Sequence, residues 1–427
     1  MTPPLDASYA ELARVVREHA GRLAASLVRV IGDFATAEDL VQDAVLAALR
    51  QWPVEGIPER PDAWLFTVAR RRGLDLWRRE SNYRGKLAEL QWPGRSEPDD
   101  RLRLIFTCCH PALPRPSQLA LTLRVVCGLT TAQIARALLV RESTVAQRIT
   151  RTKRKIRDAG IPYRVPTDDE FPARLSEVLR VIYLLLNEGY LSTSDQAQSR
   201  NLVDDAEWLA TLLHQLMPAE PEVAGLLALI RLHRARAAAR FDLDGGLVLL
   251  QDQERSRWDR RAIADATELL ARAARQRRPG PYQLQAAIVA CHAEAVRWED
   301  TDWEQIVLLY DMLLHVAPSP VTRLHRAIAL RYTLGPRAAM SELDTLAGAL
   351  DGYHLYHAAR ADLLRALGNP EHARAADRRA LDLTANPAER AVLRQRLLDP
   401  HALGPSRHAP GRSPAASDSR PGRRAGT

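Results

Sequence analysis

Apolar residues recur at three- and four-residue spacing almost without interruption from Phe171 to Leu398, and the breaks between periodic segments are only a few residues long. A chain patterned this way buries helix faces against helix faces. Composition agrees: Ala, Leu and Arg dominate and only 5% of residues are aromatic, so helix formers far outnumber the β-branched and aromatic residues that strands favour. The predicted fold class is all-α. One stretch departs from the pattern: Phe241 to Leu250, FDLDGGLVLL, whose Asp-Gly-Gly before Leu-Val-Leu-Leu fits a turn and a short strand.

Within the helical stretch the sequence repeats. Leu324-His325-Arg326-Ala327 aligns with Ala358-Ala359-Arg360-Ala361 at an offset of 34, and Leu334-Gly335 falls opposite Leu367-Gly368 at 33, the tetratricopeptide period. In the last copy Ala361, Leu367, Gly368, Ala373, Ala380 and Pro387 stand where such a repeat wants small residues at crossings, a tight turn and a stop. A weaker copy precedes around Ala286 to Ala290. An Ala-rich helical bundle without repeats is the alternative.

Proline marks the seams ahead of this region: a loop at Trp52 to Pro61, a polar linker at Trp92 to Asp100, and a closing segment at Ile161 to Thr167. The expected divisions are 1–91, a linker 92–103, 104–166, a helical extension 167–399 and a tail 400–427, rich in Pro, Gly, Ser and Arg and expected to be disordered. Charge divides along the same lines. Residues 1–166 carry net +9, residues 167–399 net −5 and the tail net +4. A basic front suggests nucleic acid as its partner, with an Arg-rich composition at large as the plainer reading.

The sharpest local signal is Gly128 to Arg157, GLTTAQIARALLVRESTVAQRITRTKRKIR. Ile134, Leu138 and Leu139 supply one apolar stripe, Val145, Ile149 and Ile156 another, with a turn at Val140-Arg141 between them. This is helix-turn-helix spacing. At 100° per residue the inward stripe turns Ser143, Gln147, Thr150, Arg151 and Arg154 outward, with Arg148 beside them. Arg141 to Arg157 holds seven basic residues and one acidic residue, so attraction to phosphates would be strong and salt-dependent.

The first 90 residues add two helical segments. In Ala35 to Trp52, Leu40, Val41, Ala44, Val45 and Ala48 form the apolar stripe and leave Asp39, Gln42 and Asp43 for a protein partner. In Pro61 to Glu80, Ala63, Leu65, Val68 and Ala69 point inward, while Arg70, Arg71, Arg72, Arg78 and Arg79 surround Trp64 and Trp77. Arginines interleaved with aromatics suit single-stranded DNA, whose backbone wants positive charge and whose bases want a π surface. Core packing is the alternative for both tryptophans.

These strings carry a resemblance. AEDLVQDAVLAALRQW, then AWLFTVARRRGLDLWRR, then a linker and the helix-turn-helix resemble region 2 followed by region 4 of a bacterial sigma factor of the extracytoplasmic-function (ECF) type. IFTCCHPAL at Ile105, AGIPYRVP at Ala159, YLLLNEGY at Tyr183 and LVLLQDQERSRWDR at Leu247 resemble the subgroup with a C-terminal tetratricopeptide-like extension. The resemblance implies a region 2 helical bundle, a region 4 helix-turn-helix and a helical-repeat domain. It further implies a sigma factor that binds core RNA polymerase and directs promoter-specific initiation, and that is not itself an enzyme. Asp39, Gln42 and Asp43 would meet the β′ clamp helices, and region 4 the β flap. Trp64, Arg70, Arg71, Arg72, Trp77, Arg78 and Arg79, with the loop after Trp52, would hold the melted −10 strand. Ser143, Gln147, Arg148, Thr150, Arg151 and Arg154 would read the −35 element. Arg71 departs from the family, which often has Asn there, and that weakens the case for a specific hydrogen bond at this position. The extension implies an intramolecular or protein partner.

The remaining motifs argue against other chemistries. Cys108-Cys109-His110 lacks a second ligand pair and reads as buried thiols. Asp242, Asp244 and Gly245 begin like a calcium loop, but its twelfth position is Gln253. No cofactor or metal is expected. Four cysteines without disulfide-scaffold spacing, no signal-peptide pattern and no long apolar run lead to a cytoplasmic expectation, with no membrane partner. His214, His292, His325 and His357 lie on predicted helices as packing or surface residues. A one-component regulator with a sensor domain, and a helical scaffold that makes only protein contacts, are the rival readings.

Overall fold

A computed structural model describes residues 19–28, 31, 33–77, 101–138, 140–191, 202–242 and 246–398. Among them the chain is helical, and the only pairing of extended backbone is an isolated antiparallel bridge between Phe241 and Leu247. The turn and strand expected there reduce to that bridge; Asp244 and Gly245 lie outside the described residues, as does the tail. No helix among the described residues is long and apolar enough to cross a membrane. The chain divides into two compact units, residues 1–335 and 336–427.

The first unit opens with helical residues 19–28, followed by α1 (Phe34–Glu55) and α2 (Pro61–Trp77). Asp33 caps α1, its carboxylate accepting from the Thr36 backbone N–H at 2.8 Å. The loop expected from Trp52 is shorter than its prolines suggested: α1 continues through Pro53 to Glu55 and ends at Gly56, whose φ of 86° is left-handed. Buried Trp52 holds that last turn against Trp64 of α2, ring centroids 5.2 Å apart and edge to face.

Next come α3 (Arg101–Cys108), α4 (Arg115–Val125), α5 (Thr131–Ala137) and α6 (Glu142–Asp158). Thr130 and Gln133 form a capping box at the start of α5. The Thr130 N–H donates to Gln133 Oε1 at 2.9 Å and the Gln133 N–H to Thr130 Oγ1 at 3.2 Å. Ile134, Val145, Ile149 and Ile156 are buried, so the two stripes read from the sequence do meet. Cys108, Cys109 and Cys127 are buried as well. Burial pushes the Cys109 thiol up to about 12, against a hydrogen bond with Thr122 that lowers it.

The rest of the unit is α7 (Phe171–Leu191), α8 (Leu202–Leu216), α9 (Pro221–Ala235), α10 (Arg260–Ala274), α11 (Pro281–Glu294), α12 (Trp303–Val316) and α13 (Pro320–Thr333), with neighbours in sequence mostly packing as neighbours in space. Gly225 lets α9 and α11 close: a Cβ there would stand 2.6 Å from Gln283 Cγ. The second unit holds α14 (Pro336–Asp344), α15 (Ala347–Leu350), α16 (His354–Ala366), α17 (Pro370–Leu383) and α18 (Pro387–Leu398). In the hairpin of α16 and α17, Ala361, Ala373 and Ala380 are fully buried, and buried Asp377 is ion-paired with Arg365. Helix starts keep the repeat: Pro320 and Pro336 in one copy, His354 and Pro370 in the next, an offset of 34 in both. Gly335 and Gly368, at φ 85° and 77°, fill the matching turns. Earlier helices do not keep that offset at both positions, α11 starting 39 residues before α13.

Candidate nucleic-acid interface

The outward row of α6 is exposed where the helical wheel put it: Ser143, Gln147, Thr150, Arg151 and Arg154 face solvent and Arg148 is half-buried. Its counterpart is Val145, Ile149, Thr152 and Ile156, all buried. Thr150 Oγ1 back-bonds to the Ala146 carbonyl at 3.0 Å and Arg154 pairs with Asp158 at 3.3 Å, both along the helix. Gln147 and Arg151 stand on the same exposed face, and their tips make no hydrogen bond along the helix among the described residues.

On α2, Arg71 and Arg72 are exposed and Arg70 is half-buried. Trp64 is partly buried against the core beside Trp52, the packing role that stood as its alternative. Phe66, passed over in the sequence, is buried with Leu65 and Ala69. The side chain of Trp77, and Arg78 and Arg79 entirely, lie outside the described residues.

The three residues on α1 do not share one environment. Asp39 and Asp43, one turn apart, are exposed, but Gln42 is 4% exposed. This corrects the outward placement of Gln42. The α1 stripe has a polar flank at Glu38 and Gln42, also one turn apart, and α4 and α6 cover it. Gln42 Nε2 donates to the Arg124 carbonyl at 3.3 Å. Glu38, 1% exposed, receives the Arg124 guanidinium at 2.8 Å and is also ion-paired with Lys153 of α6. Lys153 reaches Asp39 as well, at 2.6 Å. Burial alone would lower the Lys153 ammonium; Glu38 and Asp39 together outweigh it and hold it above its usual value. Gly21, in the helical residues 19–28, allows a further close approach, since a Cβ there would meet the Val126 carbonyl at 2.9 Å.

Helix α7 joins the same core. Arg174 donates to the Phe106 carbonyl at 2.6 Å and lies over its ring, and Phe171 packs on Phe106 at 5.8 Å. Tyr163, just before α7, donates to the Ala25 carbonyl at 3.2 Å. Among the described residues no cluster of His, Cys, Asp and Glu could hold a metal ion.

Comparison with known proteins decides what this arrangement belongs to. The Sigma-70 region 2 family matches residues 15–83 and the Sigma-70 region 4 family residues 103–156. The ECF RNA polymerase sigma factor SigL of Mycobacterium tuberculosis is 35% identical over 148 residues, 33% of this chain and 83% of that protein. The chain belongs to the extracytoplasmic-function family of RNA polymerase sigma factors. As a sigma factor it directs transcription initiation, with core RNA polymerase and promoter DNA as partners. Residues 174–274 of this sigma factor match a family of unknown function, DUF6596. An uncharacterized protein of Rhizobium meliloti is 44% identical over 388 residues, 87% of this chain and 92% of that protein, so the likeness extends through the helical extension. No solved structure matches the sigma factor.

Proposed function

We infer that this sigma factor divides promoter recognition between two surfaces. Helix α6 reads the −35 element through Gln147 and Arg151, aided by Ser143, Arg148, Thr150 and Arg154, while Lys155 contributes phosphate attraction. The arginine-rich face of α2, Arg70 to Arg72 near Trp64, with Trp77, Arg78 and Arg79 beyond it, holds the melted −10 strand. Asp39 and Asp43, the exposed pair on α1, meet the β′ clamp helices of polymerase, and region 4 meets the β flap. The work is done in the cytoplasm, without metal, cofactor or a catalytic step of its own.

The observation that carries this reading is the sidedness of α6, where exposed polar and basic tips stand back to back with a buried apolar stripe. Any surface helix turns polar residues outward; what favours DNA here is that the row belongs to a stretch, Arg141 to Arg157, with seven basic residues and one acidic. The extension, 167–399, acts as an intramolecular regulator of the front; the Arg174–Phe106 and Phe171–Phe106 contacts support this, since they join its first helix to α3. The test is reconstitution of purified core polymerase with the full chain, followed by the same assay with Asp43→Lys. Wild type should form holoenzyme and the variant should form it weakly; equal binding by the two would remove α1 from the polymerase interface.

A further inference from the structure

Three arginines crowd one tryptophan where α9 gives way to α10. The Cζ atoms of Arg255, Arg236 and Arg260 stand 4.7, 5.7 and 5.9 Å from the centre of the Trp258 ring. Arg255, Trp258 and Arg260 come from the LVLLQDQERSRWDR string at Leu247, to which promoter recognition gives no task. Trp258 is 3% exposed and Arg255 7%. Arg255 Nη1 bonds the His292 and Ala295 carbonyls and Arg260 those of Ala293 and Arg255, while among the described residues no carboxylate is ion-paired with either arginine.

Donors are left over in the same place. Arg255 Nη2, Trp258 Nε1 and His292 Nδ1 are buried and make no hydrogen bond among the described residues. Arg255 links their residues: its guanidinium lies over the Trp258 ring, holds the His292 carbonyl at 2.7 Å and stands 6.0 Å from the ring of Trp298, which stacks on the His292 imidazole at 6.0 Å. Burial, then Arg260 and Arg236, push the Arg255 guanidinium below its usual value. Exposed Glu299 and Asp300 pull the other way without outweighing them, and Asp300 already pairs with Arg297. Buried charges and buried N–H groups are ordinarily matched by an acceptor.

We propose that Arg255, Trp258 and His292 form a binding site for a small oxyanion, inorganic phosphate, that accepts from these leftover donors and is surrounded by the charge of Arg236 and Arg260. A guanidinium fork suits an oxyanion, and several oxygens can accept from several side chains at once. The burial of Arg255 and Trp258 leaves little room for a substituent, so the free ion is the ligand rather than an ester. Bound there, it ties the segment before α10 to the end of α11, and phosphate should stabilise the extension. The site is independent of the promoter reading.

The test is equilibrium dialysis of the full chain against radiolabelled inorganic phosphate, with the indole N–H resonances followed by NMR in the same titration. Wild type should take up one phosphate per chain saturably, and the indole resonance that is missing from Trp258→Phe should move as the site fills. Trp258→Phe keeps the ring and loses one donor to a charged group, so it should bind roughly tenfold more weakly; Arg255→Gln should lose binding. Where Arg255→Gln fails to fold by circular dichroism, Trp258→Phe decides. Absence of saturable uptake, which would leave water as the partner of these donors, would overturn the site. So would uptake unchanged in Trp258→Phe, the mark of an adventitious ion only, or displacement by chloride at matched ionic strength. Glycerol phosphate bound as tightly as phosphate would overturn the free ion as the ligand.

Discussion

Glu222 and Arg255 act on opposite ends of one helix. The Glu222 carboxylate, from α9, accepts the backbone N–H groups of Tyr282 and Gln283 at 3.0 and 3.1 Å at the start of α11. Arg255 Nη1 donates to the carbonyls of His292 and Ala295, both at 2.7 Å, at its end, and Arg260 adds the Ala293 carbonyl at 3.0 Å. Anion at the N-terminus and cations at the C-terminus match the helix dipole and satisfy groups the helix cannot satisfy itself.

Glu222→Gln should therefore destabilise the chain by about 1 kcal/mol, since amide replaces charge at the dipole. Arg255→Met should cost more, roughly 1–3 kcal/mol, because the carbonyls lose their donor inside the fold. Urea unfolding checks both, and an Arg255→Met midpoint at or above wild type would refute the capping account.

Acid should weaken the same region. Burial, with Arg236 and Arg240 nearby, pushes the His233 imidazole down to about 3, and burial with Arg236 and Arg255 does the same to His292. Both rings stay neutral in the fold, while in the unfolded chain they take a proton near 6.5. As pH falls from 6.5 toward 3 the unfolded state binds protons that the folded state does not, so stability drops across that window. Urea midpoints at about pH 7.5 and about pH 5 should differ, with a smaller difference in His292→Asn. A pH-independent midpoint would show that the rings are not held neutral.

The cap of α1 gives a simpler test. Asp33→Ala removes the 2.8 Å acceptor for the Thr36 N–H and should lower stability by about 1 kcal/mol. Burial raises the Asp33 carboxyl, but its bonds to Thr36 more than offset that and hold it below its ordinary value. Its contribution is thus present above about pH 4 and fades as pH falls further; calorimetry of wild type and variant across that range reads it.

Helix class and the two faces of α6 were legible in the sequence because a 3.6-residue period leaves little choice of side: once Val145, Ile149 and Ile156 go inward, Gln147 and Arg151 cannot. The turns at Gly335 and Gly368 were legible for a similar reason, since each follows a leucine at a matched spacing of 33 and a proline comes one residue after the first and two after the second. Gln42 was not, because its burial is imposed by α4, some 80 residues on, and no period within α1 records a neighbour that distant. Glu38 drew no reading at all from the sequence; its only signal there is its position next to Ala37 and one turn before Gln42. The helix running through Pro53 was hidden too, since a proline near a boundary favours a loop until the packing of Trp52 is known.

Base and phosphate contacts on α6 should separate in binding measurements. Gln147→Ala and Arg151→Ala should change −35 preference by about 1–3 kcal/mol at individual positions, whereas Lys155→Ala should weaken binding to every sequence alike and reduce its salt slope. Uniform effects from all three substitutions would show that α6 makes no base-specific contacts.

As a sigma factor the chain should direct core polymerase to promoters of its own. Transcription from a pool of randomised promoter fragments, each carrying its own transcribed barcode downstream, with core polymerase alone and with core plus the full chain, measures that directly by sequencing the barcodes in the transcripts. The expected result is enrichment of fragments sharing two elements at a fixed spacing, with the upstream element degraded by Arg151→Ala and the downstream element untouched. Transcripts no more selective than those of core polymerase alone would contradict it.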